Sequence, residues 1–317
     1  MLKDKEMNES VRLTIAYYSI MNSFGPLWGT PLTNNIRVRM FGGLGNQLFQ
    51  YYAAKSVSIK LGLPLVMDFS WQSKYNMHPN SDIRDFKFAQ NELINDSMNS
   101  GSFIKERIKN RVVEKFKTFE SIFKVDIPNT TGYTDLGQIK GGVELRGYYQ
   151  SYKYFEQFCN IQSAPDWTLT NESVKYQRYR DKLGAQDFIS MHIRGGDYLK
   201  SNSPYVNLGE EYYISALDEI KKNTGNLKTY IFTNDVDHGR NFLKLGTNLE
   251  IIYTQDLNAS ENLKIMSLGK GLVLSNSTFA YWAGIISSAS DIVVPKKWFK
   301  KINIGNDLYP TNWKTIN

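Results

Sequence analysis

Phe188-Ile189-Ser190-Met191-His192-Ile193-Arg194-Gly195-Gly196-Asp197-Tyr198 is the stretch whose reading settles the architecture. From Asp187 to Arg194 it predicts a β-strand. Alternation sets Phe188, Ser190, His192 and Arg194 on one face, with Ile189, Met191 and Ile193 on the other. An imidazole and a guanidinium therefore arrive together at the carboxyl end of the strand. Gly195-Gly196 then turns the chain and leaves Asp197 at the mouth. Open α/β sheets bind ligands outside the carboxyl ends of their strands. A guanidinium there suits a planar anion, because its donor fork matches phosphate or carboxylate oxygens. The competing explanation is an Arg194–Asp197 pair that only pins a loop.

The elements around this strand repeat one pattern. Helical patterns at Glu210 to Lys222, Asp237 to Leu245, Ser260 to Leu268 and Thr278 to Ser288 alternate with short strands. Those strands are Lys228 to Phe232, Glu250 to Tyr253, Leu272 to Leu274 and Asp291 to Val294. Such alternation predicts a parallel, doubly wound sheet. In the first half, Asn35 to Phe41 reads as a strand, Leu48 to Leu61 as a helix stopped by Gly62, and Leu63 to Phe69 as a second strand. Residues 70–140 read as irregular apart from a helical pattern between Ser102 and Val125. A strand at Gly142 to Tyr148, a helix at Ser151 to Phe158 and a linker at 162–168 complete that half. The expected fold class is α/β with two Rossmann-like domains facing a cleft. We expect an extension over 1–35, an acceptor-side domain over 36–165 and a nucleotide-sugar domain over 166–317.

Composition narrows the partners. Of 317 residues, 41% are hydrophobic, which is ordinary globular usage and enough for two cores. The lone Cys159 excludes an intrachain disulfide and a cysteine metal cluster, and it fits a reducing compartment. His78, His192 and His238 are widely separated, so no zinc site is expected. A formal charge of +7 points to anionic partners, such as nucleotides, phosphates or an acidic membrane surface. The densest basic stretch, Lys105 to Arg111, is interrupted by Glu106 and by apolar positions, which predicts a solvated helix face and no nucleic-acid partner. Leu13 to Met21 is apolar but short of the roughly 20 residues a spanning helix needs. It also fits a signal peptide poorly.

Polar residues collect where strands of the second half end. Asn234 and Asp235 follow one strand; Asn276, Ser277 and Thr278 lie between another strand and its helix, where backbone N–H groups form an anion site. A carboxylate such as Asp235 repels phosphate and suits the N–H groups of a base such as guanine. The plain alternatives are a helix cap at Ser277 or Thr278 and a turn at Asn234-Asp235. Taken jointly, these strand ends favour a nucleotide diphosphate site. In the first half, Gly43-Leu44-Gly45 begins a dinucleotide fingerprint that breaks at Leu48, with Asp68 at the distance of a ribose-binding acid. Asn46 and Gln47 either contact a ligand or cap the following helix. Asp235-Val236-Asp237 also resembles a metal-binding acid pair.

Five motifs, in order, carry a family resemblance. They are Gly42-Gly43-Leu44-Gly45-Asn46-Gln47-Leu48-Phe49-Gln50, Leu145-Arg146-Gly147-Tyr148-Tyr149-Gln150-Ser151, His192-Ile193-Arg194-Gly195-Gly196-Asp197-Tyr198, Phe232-Thr233-Asn234-Asp235 and Leu274 to Gly284. Together they resemble the α-1,2-fucosyltransferase family (glycosyltransferase family 11), with α-1,6- and protein O-fucosyltransferases as relatives. The resemblance implies a GT-B-like fold and GDP-β-L-fucose as donor. It implies inverting transfer to the 2-hydroxyl of a galactose-terminated glycan, with no cofactor and no metal. It implies that Arg194 binds the β-phosphate, that Asp235 reads guanine, and that Ser277, Thr278 and Phe279 line the diphosphate. It places Asn46 in the first domain, across the cleft near the reacting sugar.

The residues expected to act are Arg194, Asp197 and Asn46 in catalysis. Gly43, Gly45, His192, Arg194, Asn234, Asp235, Asn276, Ser277, Thr278 and Phe279 are expected at the donor, and Asp68, Tyr148 and Gln150 at the acceptor. Asp197, Asp68 and Glu144 are candidate bases, with Asp197 alternatively anchoring Arg194. Trp71 and Trp282 are further candidates for sugar contact, Trp282 more simply as core. Many relatives carry a second arginine where this chain has Gly195. The other functions weighed are another nucleotide-sugar glycosyltransferase, a dinucleotide-dependent oxidoreductase on Gly43, Gly45 and Asp68, a metal-dependent transferase on Asp235 and Asp237, and a non-catalytic nucleotide- or glycan-binding protein. The expected place is the cytoplasm, with peripheral contact at the inner face of the membrane.

Overall fold

A strand buried on both faces anchors the second half of the chain, as the computed structural model shows. The structure describes residues 35–70, 72, 82–95, 124–126, 132–133, 135–137, 139, 143–158, 165–246, 248–252, 257–301 and 307–317. The expected extension up to residue 34, most of the helical pattern at 102–125, and Trp71, His78 and Cys159 lie outside them. The chain divides into two units. One comprises residues 1–42, 49–77 and 91–163; the other comprises 43–48, 78–90 and 164–317.

The first unit holds five strands: β1 (Ile36–Arg39), β2 (Leu65–Asp68), β3 (Leu93–Asn95), β4 (Lys124–Asp126) and β5 (Val143–Arg146). They form one sheet in the order β3-β2-β1-β5-β4, every pair parallel. Helix α1 (Leu44–Leu61) joins β1 to β2. It ends at Gly62, whose φ of 63° is the left-handed conformation that glycine adopts without strain. Phe49, Tyr52, Ala53 and Val57 of α1 are buried with Ile36, Val38, Val143 and Leu145 of the sheet. A short helix α2 (Lys153–Glu156) follows β5.

The second unit begins with α3 (Val174–Gly184), which the sequence did not reveal. Only Tyr176 and Leu183 of this helix are buried, so it carries no apolar stripe to read. Ser173 caps it, accepting from Tyr176 N at 3.1 Å, and Glu261 accepts from Ser173 N at 2.7 Å. Then come β6 (Phe188–Ile193), α4 (Glu210–Thr224), β7 (Lys228–Thr233), α5 (Val236–Arg240), β8 (Leu249–Ile251), α6 (Ala259–Met266), β9 (Gly271–Val273), α7 (Thr278–Ile286), β10 (Asp291–Pro295) and β11 (Lys314–Ile316). The helical pattern expected at Asp237 to Leu245 splits into α5 and a 3-10 turn at Leu243–Leu245. Strand β11 is short and polar, with no apolar period to mark it in advance.

Six parallel strands run in the order β11-β10-β9-β6-β7-β8. Every residue of β6 is buried, so the alternation expected of it separates two covered faces, as in parallel sheets generally. Ile189, Met191 and Ile193 join Tyr213, Ala216, Leu217 and Ile220 of α4 in the main core. From β6 the chain builds outward to β7 and β8, then crosses to β9 on the other side. The strand order therefore reverses between β6 and β9, the switch point at which such sheets hold ligands.

Residues 43–48 and 78–90, expected in the N-terminal domain, group with the second unit. Gln47 Oε1 accepts from Ile83 N at 3.0 Å, Lys87 N donates to Thr168 O at 2.9 Å, and Ser260 Oγ donates to Asp85 Oδ2 at 2.8 Å. Among the described residues no helix is long and apolar enough to cross a membrane.

Candidate active site

The two strand ends at the β6–β9 switch point carry the polar residues. After β6, Gly195 N donates to Asn234 Oδ1 at 3.0 Å and Gly196 N donates to Asp235 Oδ2 at 3.1 Å, tying this turn to the end of β7. Gly196 has a φ of 62°. A Cβ on Gly195 would lie 2.6 Å from Asp235 Cβ, so no side chain fits there on this backbone.

Arg194 follows directly. Its Nη2 donates to Asp197 Oδ1 at 2.7 Å, so the loop-pinning pair exists. The pair does not account for the whole guanidinium, because Nε is buried with no hydrogen-bond partner among the described residues. An unpaired buried donor is costly and calls for an acceptor. The guanidinium also lies over the Tyr198 ring, 5.0 Å from its centroid. Tyr198 stacks on Tyr205 at 4.1 Å with planes 4° apart, and Tyr205 stacks on Phe299 at 5.0 Å. This column fixes the plane of the fork.

Across the switch point, Leu274, Ser275, Asn276 and Ser277 are all buried. Asn276 Nδ2 donates to Val206 O and to Trp298 O, both at 2.9 Å, and Asn276 O accepts from Tyr198 OH at 3.0 Å. One asparagine thereby couples the loop before α7 to the column under Arg194. His192 Nδ1 shares a hydrogen bond with Ser275 Oγ at 2.7 Å. Burial, helped by the Arg194 charge, pushes the imidazole down to about 3, so it is neutral near pH 7. His192 therefore holds Ser275 and brings no positive charge.

Ser277 occupies the N-cap position of α7 but its side chain makes no capping bond. The first N–H groups of α7 are left to another acceptor, with the positive end of the helix dipole behind them. Gly45 abuts the same turn. A Cβ on it would fall 2.5 Å from Thr278 O and from Phe279 N. Gly43, Gly45 and Asn46 thus belong with the second unit.

Asp235 caps α5, accepting from His238 N at 3.1 Å. That bond, with the one from Gly196, holds the carboxyl below its ordinary range. Asp237 turns instead to Arg240 at 2.7 Å. Among the described residues no three of His, Cys, Asp and Glu gather as metal ligands. Asp68, Tyr148 and Gln150 lie in the first unit. Asp68 pairs with Arg37 at 3.1 Å and accepts from Ser70 N at 3.0 Å, Tyr148 meets Phe41 edge-on at 5.0 Å, and Gln150 is buried. Glu144 accepts from Arg146 Nε at 2.6 Å, and Trp282 is core. The residues unread in sequence are Ser275, Tyr205 and Phe299. Ser275 opens a polar run after apolar Leu272 to Leu274; the two aromatics gave no local signal.

Residues 146–317, more than half of the chain, match the model of glycosyl transferase family 11. Among known proteins, the chain is 23% identical over 290 residues to an alpha-1,2-colitosyltransferase of Escherichia coli, covering 88% of this chain and 97% of that one. It is 27% identical over 287 residues to the O-antigen biosynthesis glycosyltransferase WbnK of Escherichia coli, covering 81% and 93%. Among solved structures it is similar to the fucosyltransferase NodZ from Bradyrhizobium, with a TM-score of 0.48, 14% identity, and coverage of 80% and 94%. It is also similar to a glycosyl transferase of family 9 from Veillonella parvula, with a TM-score of 0.45, 14% identity, and coverage of 92% and 88%.

Proposed function

Because the chain belongs to glycosyl transferase family 11, we propose that it transfers L-fucose from GDP-β-L-fucose to the 2-hydroxyl of a terminal galactoside, with inversion and without a metal. Surface-glycan or O-antigen assembly is the setting that the names of its relatives favour. The reaction is placed at the inner face of the cytoplasmic membrane, where the +7 charge of the chain favours an anionic surface.

One observation carries this reading. The unpartnered Nε of Arg194 and the uncapped first turn of α7 stand on the two sides of one switch point, as a diphosphate requires. In the reaction the bond from the anomeric carbon to the β-phosphate oxygen breaks. The acceptor oxygen attacks from the opposite face and gives its proton to a base. Negative charge builds on the departing GDP, and a fixed guanidinium with helix N–H groups stabilises it by preorganised electrostatics. Asp197 holds Arg194, Ser277, Thr278 and Phe279 line the diphosphate, and Asn46 stands near the transferred sugar. Each Asp235 oxygen accepts one backbone N–H and keeps a second lone pair for guanine.

The test is GDP release from GDP-fucose with lactose as trial acceptor, in chelator, alongside donor binding by titration. Expected are acceptor-dependent release that survives chelator and a loss of about a hundredfold or more in Arg194→Ala. Absence of GDP-fucose binding, or release that stops in chelator, would overturn the reading. The same assay with a colitose donor tests the second reading, which the 23% identity to a colitosyltransferase favours.

A further inference from the structure

Lys296-Lys297-Trp298-Phe299-Lys300-Lys301 holds four lysines in six residues and no acid. The run follows Pro295, the last residue of β10, so it leaves the second sheet at the end where Arg194 leaves the parallel strand β6. All four lysines are exposed, and none has a carboxylate partner among the described residues. Four other lysines of this unit are neutralised. Lys222 pairs with Glu219 at 2.6 Å, Lys244 with Glu210 at 2.8 Å, Lys270 with Asp187 at 2.5 Å, and Lys228 with Glu250. The run after β10 is thus a patch of uncompensated charge.

Its backbone is held at several points. Lys296 N donates to Ile316 O at 2.7 Å, Lys300 N donates to Pro204 O at 2.8 Å, and Val206 N donates to Trp298 O at 3.0 Å. Trp298 is buried, and its carbonyl also accepts from Asn276 Nδ2 at 2.9 Å. Phe299 stacks on Tyr205 at 5.0 Å, in the column under Arg194. A backbone fixed in this way keeps the four charges together, and their mutual repulsion is offset by an anionic partner. The residue type narrows that partner. An ammonium is a compact point charge and lacks the fork with which arginine grips a single phosphate, so four lysines suit a fluid array of headgroups better than one set phosphate geometry. Single-stranded nucleic acid also needs aromatic faces for its bases. The aromatics here are committed, Trp298 to the interior and Phe299 to Tyr205.

We propose that Lys296, Lys297, Lys300 and Lys301 form a docking surface for the anionic phospholipid headgroups of a bilayer, which brings the carboxyl end of the second sheet to the membrane. The inference deepens the transferase reading by naming the residues that make its membrane contact, and it rests on that reading for the presence of a glycan acceptor there. Juxtamembrane lysines clustered in this way gain from the negative surface potential additively, within a Debye length of the lipid.

The test is co-sedimentation of the full chain with vesicles of phosphatidylcholine alone and of phosphatidylcholine mixed equally with phosphatidylglycerol. Binding to the mixed vesicles only is expected, weakening as salt rises. Each lysine should be worth about fivefold in partitioning. Lys296→Gln, Lys297→Gln, Lys300→Gln and Lys301→Gln combined should therefore lower it by about a hundredfold or more, while the same four positions changed to arginine should keep it. Removing as many charges elsewhere, with Lys222→Gln, Lys228→Gln, Lys244→Gln and Lys270→Gln combined, should cost far less, which separates the patch from net charge. Unfolding temperature and GDP-fucose titration, both expected near wild type, show that the patch variant is folded. Equal binding to the two vesicles, no binding to either, equal losses in the two glutamine sets, or retention of an RNA oligomer in place of vesicles would overturn the proposal. Vesicle binding is measured without donor or acceptor, so its failure leaves fucosyl transfer standing, and failure of fucosyl transfer leaves observed vesicle binding standing.

Discussion

Gly45 leaves no room for a side chain against Thr278: a Cβ would fall 2.5 Å from the Thr278 carbonyl oxygen. The first turn of α1 thereby meets the first turn of α7. Glycine is required by this close backbone approach and not by a left-handed φ. Gly45→Ala should push the α7 start away, with destabilisation of about 1–3 kcal/mol as in other overpacked contacts. Loss of GDP-fucose affinity should reach about tenfold. Thermal unfolding and donor titration on one sample check both, and wild-type affinity in the variant would refute the contact's role.

Gly195 faces Asp235 so closely that a Cβ would lie 2.6 Å from the Asp235 Cβ. Gly195→Arg should not simply add positive charge to the donor site. Its Cβ forces Asp235 away, breaking the α5 cap or the bond from Gly196. A lost cap costs about 0.5–2 kcal/mol. We expect a lower unfolding temperature and weaker donor binding; tighter binding of GDP-fucose would contradict this placement.

Tyr198 acts through Arg194 and is a positioning residue. Tyr198→Leu removes the cation–π contact, worth about 0.5–2 kcal/mol, and should lower kcat by about tenfold while KM for the acceptor moves little. Tyr198→Phe keeps the stack and loses the hydroxyl's bond to Asn276 O and its interaction with Tyr205, so it should retain most of kcat. Equal losses in the two variants would mean that the hydrogen bond, and not the stack, holds the guanidinium.

His192 links stability to acid. Its folded value lies below the ordinary histidine value, so its contribution is fully present above that ordinary value and is lost as pH falls towards the folded value of about 3. The full window amounts to roughly 5 kcal/mol at 1.36 kcal/mol per pH unit. His192→Gln should unfold at lower temperature near pH 7 yet lose less stability between pH 6 and about 4. Denaturant melts across that range decide it, and parallel curves for the two proteins would remove His192 from the linkage.

Much of the second unit was legible because its strands and helices are local patterns. β6, β7, β9 and β10 are short apolar runs, and Gly225 closes α4 where the sequence placed its stop. Helix α3 escaped because its surface is polar nearly all round, and β11 because Lys314-Thr315-Ile316 has no apolar period. In the site, Arg194, Asp235 and the Ser277-Thr278 turn could be named from residue type and position at strand ends.

The amino-acid sequence by itself determined the alternation of strands and helices, the guanidinium at the end of β6 and the polar turn ahead of α7. Each of these follows from side-chain period and turn chemistry within a few residues. Only the tertiary structure decided that β9 lies beside β6, that Gly45 abuts Thr278, that Asp235 holds Gly196, and that Arg39 pairs with Glu144. Those relationships link residues 39 to more than 200 positions apart or across separate strands. They come from strand order and backbone approach, which the sequence period leaves open.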